Sequence, residues 1–160
     1  YMQAPETVYS VQMKTDEAYQ QSEESNIANQ NFTIEVNPSI NENTAWKLIT
    51  GIIQSKFDEI ETIDAATSYL RTNWVGTPFN IKSSFPTTVR TRVIITSAGR
   101  TPLKYNVKIQ SEITKTSELI SALSCIGATV NMDQCFEPFP RILRKYNDLI
   151  NEIQRRMTEK

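Results

Sequence analysis

Alternating apolar and polar positions between residues 89 and 113 predict a long β-hairpin. The apolar positions of its second arm are Leu103, Tyr105, Val107 and Ile109. The apolar positions of its first arm are Val89, Val93 and Ile95. A period of two gives each strand one buried and one solvated face. Between the arms, residues 97–102 contain Gly99 and Pro102 and predict the turn.

A helical period predicts the element that covers the dry face of the hairpin. Spacings of 3, 4 and 4 residues place four apolar side chains on one side of a helix, namely Trp46, Ile49, Ile53 and Phe57. Polar residues 41–44 offer side chains that can cap its first turn. We expect Trp46 to be a core residue rather than a cofactor platform, because burying a large aromatic side chain contributes about 2–3 kcal/mol.

The remaining elements follow from shorter patterns. Residues 31–36 predict a strand, and two short strands follow at 59–64 and 68–75, the second with Leu70, Thr72 and Trp74 on one face. Residues 76–88 predict a loop, 116–122 a short helix and 140–158 a C-terminal amphipathic helix. This order predicts an α+β fold, in which an antiparallel sheet carries helices packed on one face.

The chain divides into a leader and one domain. Residues 1–30 are polar and lack sustained periodicity, which predicts a flexible leader or tether, one end of which Val8, Tyr9 and Val11 could pin to the domain. A helix through residues 15–25 is the alternative, but it would lack an apolar stripe. Residues 31–160 form the predicted single domain. The chain begins at Tyr1 rather than at methionine, so we expect processing upstream of it.

Composition argues against an enzyme. The 160 residues contain no histidine, which removes the commonest general base and metal ligand. The four glycines do not cluster into a phosphate-binding loop. The acidic residues between 58 and 64 straddle a predicted helix end and a strand, so we interpret them as a solvated surface. We expect no catalytic residue, cofactor or metal.

Cys125 and Cys135 are the only cysteines. The segment between them contains Gly127, Asn131 and Asp133 and can turn back on itself, so a disulfide is sterically reasonable. Two reduced thiols in a cytosolic protein are the alternative. The sequence leaves both open.

Basic side chains on the polar positions of the predicted strands, with a neighbouring aromatic ring, form the candidate interaction surface. Its residues are Tyr69, Arg71, Arg90, Arg92, Lys104 and Lys108. Such a face can bind anionic glycans, lipid headgroups or nucleic acid. An ordinary exposed sheet face is the alternative, since Lys and Arg also protect sheet edges from pairing. The net charge of −1 argues against nucleic acid.

Three stretches carry a resemblance to a known family. They are Ala45-Trp46, the strand Leu70-Arg71-Thr72-Asn73-Trp74 and the basic stretch Arg90-Thr91-Arg92-Val93-Ile94-Ile95. In this order they resemble the BamC-type helix-grip domains of bacterial envelope lipoproteins of the Bacteroidetes kind, over about residues 40–113. The resemblance implies a periplasm-facing protein at the outer membrane, lipid-anchored through a cysteine upstream of Tyr1 and without an active site. An oxidising compartment would also favour the disulfide.

These observations predict a non-enzymatic envelope domain that contacts a protein partner, with the basic sheet face and the C-terminal helix as its surfaces. The alternative is a small-ligand or glycan-binding module on the sheet, marked by Trp74 and Tyr69.

Overall fold

The computed structural model describes residues 24, 25, 27, 29–79, 86–116 and 124–159. Within these residues, seven strands form one antiparallel sheet and two α-helices are present. The strands are β1 (Asn31–Glu35), β2 (Ile60–Asp64), β3 (Tyr69–Thr72), β4 (Val75–Pro78), β5 (Thr88–Arg100), β6 (Leu103–Thr114) and β7 (Phe136–Pro138). The helices are α1 (Glu42–Gln54) and α2 (Asn147–Thr158). The predicted α+β class with an antiparallel sheet and a C-terminal helix is therefore confirmed.

Strands β5 and β6 form the long hairpin that the alternation predicts. Their ladder runs from Val89 opposite Ile113 to Arg100 opposite Leu103. The register shifts between Ser97 and Gly99, where Gly99 has φ of +146°, a value that side chains disfavour. The turn itself is shorter than expected, because β5 extends to Arg100 and leaves only Thr101 and Pro102 before β6 begins at Leu103.

The hairpin is the centre of the sheet, whose main order is β1-β6-β5-β3-β2. Strand β4 lies beside β5 and strand β7 beside β6. Residues 75–78 were predicted as part of a strand end and a loop, but they pair with β5 at residues 88–91. The loop prediction for the start of 76–88 is thus wrong, and residues 80–85 lie outside the described part of the chain.

We call the sheet face on which Val93, Ile95, Tyr105 and Val107 are fully buried the inner face. These residues belong to the same hydrophobic core as the buried side chains of the two helices. Helix α1 is capped by Asn41, whose side-chain oxygen accepts a hydrogen bond from the Thr44 N–H at 2.8 Å. The Trp46 ring lies 6.0 Å from the Tyr105 ring, and Trp46 is only 7% exposed. The predictions of this helix and of a core role for Trp46 are confirmed.

Helix α2 packs beside α1 and closes the core. Its buried residues are Leu149, Ile150, Ile153 and Met157. The ring of Tyr146, just before α2, stacks on Phe57 at 5.4 Å. The N–H of Asn37 donates to the Met157 carbonyl at 2.9 Å, which ties the end of α2 to the strand side of the domain. Among the described residues no helix combines the length and the apolar composition needed to cross a bilayer.

The predicted start of the C-terminal helix at residue 140 is wrong. Helix α2 begins at Asn147, after a single 3₁₀ turn at Arg144–Tyr146. The preceding residues are held in another conformation, since Leu143 forms a β-bridge with Glu24 and the Ile142 carbonyl accepts the Ser25 N–H at 2.7 Å.

Those bonds also bear on the predicted leader. Ser25 and Glu24 belong to its last residues, and Gln30 donates its side-chain N–H to the Phe139 carbonyl at 2.9 Å. The described end of the leader is therefore attached to the domain. Residues 1–23, with Val8, Tyr9 and Val11, lie outside the described residues, as does most of the predicted short helix at 116–122, and these expectations stay predictions.

We expect Trp46→Ala to lower the free energy of unfolding by about 3–5 kcal/mol, because it leaves a large cavity between α1 and the inner face. Urea unfolding followed by circular dichroism measures this. Lys47→Ala is the control, since Lys47 is exposed on the same helix and should change stability by no more than about 0.5 kcal/mol. A loss below about 1 kcal/mol for Trp46→Ala would contradict the packing.

Candidate functional site

The sheet face opposite the helices, the outer face, carries the predicted basic residues. Antiparallel pairing places Arg71 beside Ile94 and Ile94 beside Lys108, in one row across three strands. The next row contains Arg92 beside Gln110, and the Arg92 Nε–H donates to the Gln110 side-chain oxygen at 2.8 Å. The pairing register thus brings part of the predicted surface together.

A β-bulge between β3 and β4 delivers an aromatic ring to this face. Arg71 pairs with Ile94 and Val75 with Thr91, so four steps along β3 and β4 match three steps along β5. One residue is therefore extra, and a bulge re-aims the side chains next to it. Simple alternation places Trp74 with Leu70 and Thr72 on the inner face. That expectation is wrong, because Trp74 contacts Arg90 and Arg92, whose side chains belong to the outer face.

Arg90 is the most constrained residue of the outer face. It is only 3% exposed. Its Nε–H donates to a Glu112 carboxylate oxygen at 2.9 Å, and its Nη2 also bonds that oxygen. Its Nη1 donates to the Val130 carbonyl at 2.6 Å and to Asp133 at 2.8 Å. Four hydrogen bonds to carboxylates and a carbonyl replace water around a buried charge, as such burial requires.

Aromatic rings and guanidinium groups alternate along this part of the face. Arg92 lies 4.2 Å from the Trp74 ring centroid, Arg90 lies 4.1 Å from the same centroid, and Arg90 also lies 4.4 Å from the Phe136 ring. Each such contact contributes about 0.5–2 kcal/mol, more where water is excluded. The series fixes Trp74 in place and leaves it half-buried.

Arg90 therefore cannot belong to an accessible binding surface, and this part of the prediction is wrong. The physical reason is distant in sequence: residues 130–136 fold over Arg90 and bond its guanidinium. Gly76 permits this close approach, because a Cβ there would lie 2.6 Å from a methyl carbon of Val130.

The other predicted surface residues remain accessible but have separate environments. Arg71 and Tyr69 are half-buried on β3, and Arg71 forms an ion pair with Glu61 at 2.7 Å. Lys108 is exposed. Lys104 pairs with Glu35 at 4.0 Å, and it lies about 13 Å along β6 from Lys108, at about 3.3 Å per residue. The structure thus groups Tyr69, Arg71, Arg92 and Lys108 but sets Lys104 apart.

The charges of this group influence one another. The hydrogen bond to Glu61 raises the pKa of Arg71. Partial burial lowers the pKa of Arg92, and the charges of Arg71 and Arg90 act in the same direction. Both guanidinium groups stay charged at neutral pH, since arginine titrates far above it.

Residues 130–136, which fold over Arg90, are called the covering segment. A disulfide between Cys125 and Cys135, whose Cα atoms are 5.5 Å apart, closes the loop that contains most of this segment. The disulfide prediction agrees with the structure. Phe136 packs with the two cysteines in a small apolar cluster separate from the main core. The segment continues into β7, which pairs with the end of β6. The disulfide therefore closes the loop whose residues hold Arg90.

A cleft of about 430 Å³ opens beside Trp74. It is lined by residues 73–75, by Val130 and Asn131, and by Lys56, Asp58 and Glu59. Asn73 donates its side-chain N–H to a Glu59 carboxylate oxygen at 2.8 Å and its backbone N–H to the Glu59 carbonyl at 3.0 Å. Within the described ranges no three Cys, Asp or Glu side chains come together as a group that could hold a metal ion.

Sequence reasoning placed Trp74 on the wrong face and missed Phe136, Glu112 and the cleft. The one available signal was the Trp74-Val75-Gly76 sequence, because a glycine within a strand often marks a bulge or a close backbone approach.

No family model matches the chain, and no curated protein is significantly similar to it.

We expect Arg90→Ala to lower the free energy of unfolding by about 3–5 kcal/mol, because it leaves the Glu112 carboxylate without its partner and removes the stack. Arg100→Ala is the matched control on the same strand. Arg100 is 62% exposed and pairs with Glu42 at 3.3 Å, so its loss should cost less than about 1 kcal/mol. Equal losses in urea unfolding of the two variants would contradict the role of Arg90.

We expect both cysteines to resist alkylation unless the protein is first reduced. Intact mass after treatment with iodoacetamide measures this, with a reduced and denatured sample as the control. Replacing both cysteines by alanine should lower stability by about 2–3 kcal/mol, because a loop of about ten residues is no longer closed in the unfolded chain. Two alkylated thiols in unreduced protein would contradict the disulfide.

Proposed function

We propose that the chain is a non-enzymatic domain of a cell-envelope lipoprotein that makes protein–protein contacts through the open part of its outer sheet face. In this proposal the fold is of the helix-grip type, in which an antiparallel sheet holds a helix against one face. The seat of Trp46 of α1 on Tyr105 of the inner face supports it.

The observation that carries the proposal is the division of the outer face. Residues 130–136 cover the part around Arg90, whereas the part around Ile94 has no covering element among the described residues. There Ile94 is half-buried and is flanked by Arg71 and Lys108, with Tyr69 in the neighbouring row. A partly apolar centre with arginine and tyrosine around it has the composition of a protein interface.

The location in the envelope is supported by the disulfide. Structural disulfides persist in oxidising compartments such as the bacterial periplasm and are rare in the cytosol. The proposal places the domain on the periplasmic side of the outer membrane, with a lipid anchor on a cysteine upstream of Tyr1.

The composition of the sequence and the contacts of the clustered arginines support a non-enzymatic character. The chain contains no histidine. The arginines of the outer face form ion pairs, stack on rings or bond side-chain amides, as Arg71, Arg90 and Arg92 do. Guanidinium groups that are held by such contacts stabilise the surface rather than transfer protons.

Binding of a glycan or another small ligand is the second candidate function, favoured by the cleft beside Trp74. Aromatic rings bind sugars by stacking against them. The Trp74 ring already has two guanidinium groups within 4.2 Å of its centroid, so a sugar would compete with them. Protein contact on the open part of the face requires no such displacement.

The open face can be tested with a crosslinker placed at Lys108. A photoreactive residue at 108 should capture a specific envelope protein, and Lys108→Glu should weaken binding of that purified partner at least about tenfold, since it reverses the charge at the contact. Lys47→Glu is the matched control, because Lys47 is exposed on the helical side of the molecule. Equal capture from positions 47 and 108, or unchanged affinity of Lys108→Glu, would contradict the proposal.

A further inference from the structure

The cleft beside Trp74 differs chemically from the open basic face. Its apolar surface comes from Trp74, Val75 and Val130, and its charged surface comes from Lys56, Asp58 and Glu59. Two carboxylates against one ammonium leave one formal negative charge on the lining. A cavity with an apolar wall and a few convergent polar groups is the usual form of a binding site, and 430 Å³ lies at the lower end of such sites.

The apolar and the charged parts of this lining are both held in place by contacts. Trp74 is fixed by its guanidinium neighbours at 4.1 and 4.2 Å. Val130 is held because its carbonyl accepts the Arg90 N–H at 2.6 Å. On the other side, the hydrogen bond from Asn73 at 2.8 Å orients the Glu59 carboxylate. An aliphatic chain can therefore lie against a rigid wall with its end directed to an oriented carboxylate.

We propose that this cleft receives a lysine or arginine side chain of the protein partner. The aliphatic stem lies along Trp74, Val75 and Val130, and the cationic head meets Asp58 and Glu59, because long basic side chains bury their stems and keep their charge beside opposite charge or water. This rests on the proposed function, since it assumes a protein partner. It adds a second contact region whose charge is opposite to that of the open face.

The lining of the cleft favours a protein side chain over a free diamine as the source of the cation. A free diamine carries a second ammonium group, which the charge of Lys56 in the lining repels. A side chain of a protein has one cationic end, and its backbone remains outside the cleft. The partner segment is therefore expected to present a basic residue and to bind more tightly than a free diamine of the same stem length.

The test is a titration of ¹⁵N-labelled protein, followed by its amide and indole N–H resonances. The probe is the capped peptide Gly-Lys-Gly, the neutral control is the same peptide with norleucine, and the source control is 1,5-diaminopentane. We expect the lysine peptide to shift the Trp74 indole and residues 58–59 in a salt-dependent manner, and to bind more tightly than both controls. Equal affinity of the norleucine peptide would overturn the proposal, and tighter binding of the diamine would overturn the protein source.

Two pairs of variants sharpen the result. Glu59→Gln should weaken binding of the lysine peptide by about two- to fivefold, the range that exposed ion pairs supply, whereas Glu61→Gln, which removes the same charge outside the cleft, should not. Lys56→Gln should tighten binding, because it removes a repelling charge. Weaker binding of the lysine peptide by Lys56→Gln would overturn the proposal in favour of a zwitterionic ligand. An unchanged affinity of Glu59→Gln for this peptide would overturn the proposal outright.

This titration uses no partner protein and so separates the two proposals. Failure of the lysine peptide to bind would reject the cleft assignment while leaving the capture result at Lys108 untouched. An unchanged partner affinity of Lys108→Glu would reject the open-face contact while leaving the peptide titration untouched.

Discussion

The buried guanidinium of Arg90 is the interaction on which the outer side of this molecule depends. A buried charge is strongly unfavourable unless it is fully hydrogen-bonded. Arg90 meets that requirement only because Glu112 comes from the neighbouring strand and Val130 and Asp133 come from the covering segment. The sheet and the covering segment therefore depend on each other. The segment shields the charge of Arg90 from water, and the hydrogen bonds of Arg90 determine where the segment lies.

This dependence links the two candidate surfaces. Trp74 and Val130 both line the cleft, and both contact Arg90. Arg92 stacks on the same Trp74 ring and lies in the row next to the one that contains Arg71 and Ile94. A basic open face and a net negative cleft thus lie on either side of one stack of rings and guanidinium groups. A partner with an acidic patch and a protruding basic residue would match both.

The fold was predictable where a period extends over many residues. The hairpin and α1 each contain several turns or alternations, and tertiary context does not change them. The start of α2 was not predictable from its own residues, because the extended conformation at Leu143 is set by its bridge to Glu24, far away in sequence. Local propensity cannot contain that information.

The same limit applies to the site. Parity along β3, β5 and β6 placed Arg71, Arg92 and Lys108 on one face, since parity is a property of the strand itself. The burial of Arg90 depends on residues 40 and 43 positions away. The side of the sheet that Trp74 occupies depends on one extra residue, which alternation over such a short strand does not show.

That extra residue has a consequence for how this chain tolerates changes in length. Most strands of a sheet accept a substitution more easily than an insertion, because a one-residue slip exchanges the two faces. Between Thr72 and Val75 the situation is reversed, since the slip is already part of the native structure. Deleting Asn73 would restore regular pairing and would place Trp74 directly opposite Arg92, still on the outer face. The two arginines of β5 would keep the ring between them, and the hydrogen bonds from Asn73 to Glu59 would be lost instead.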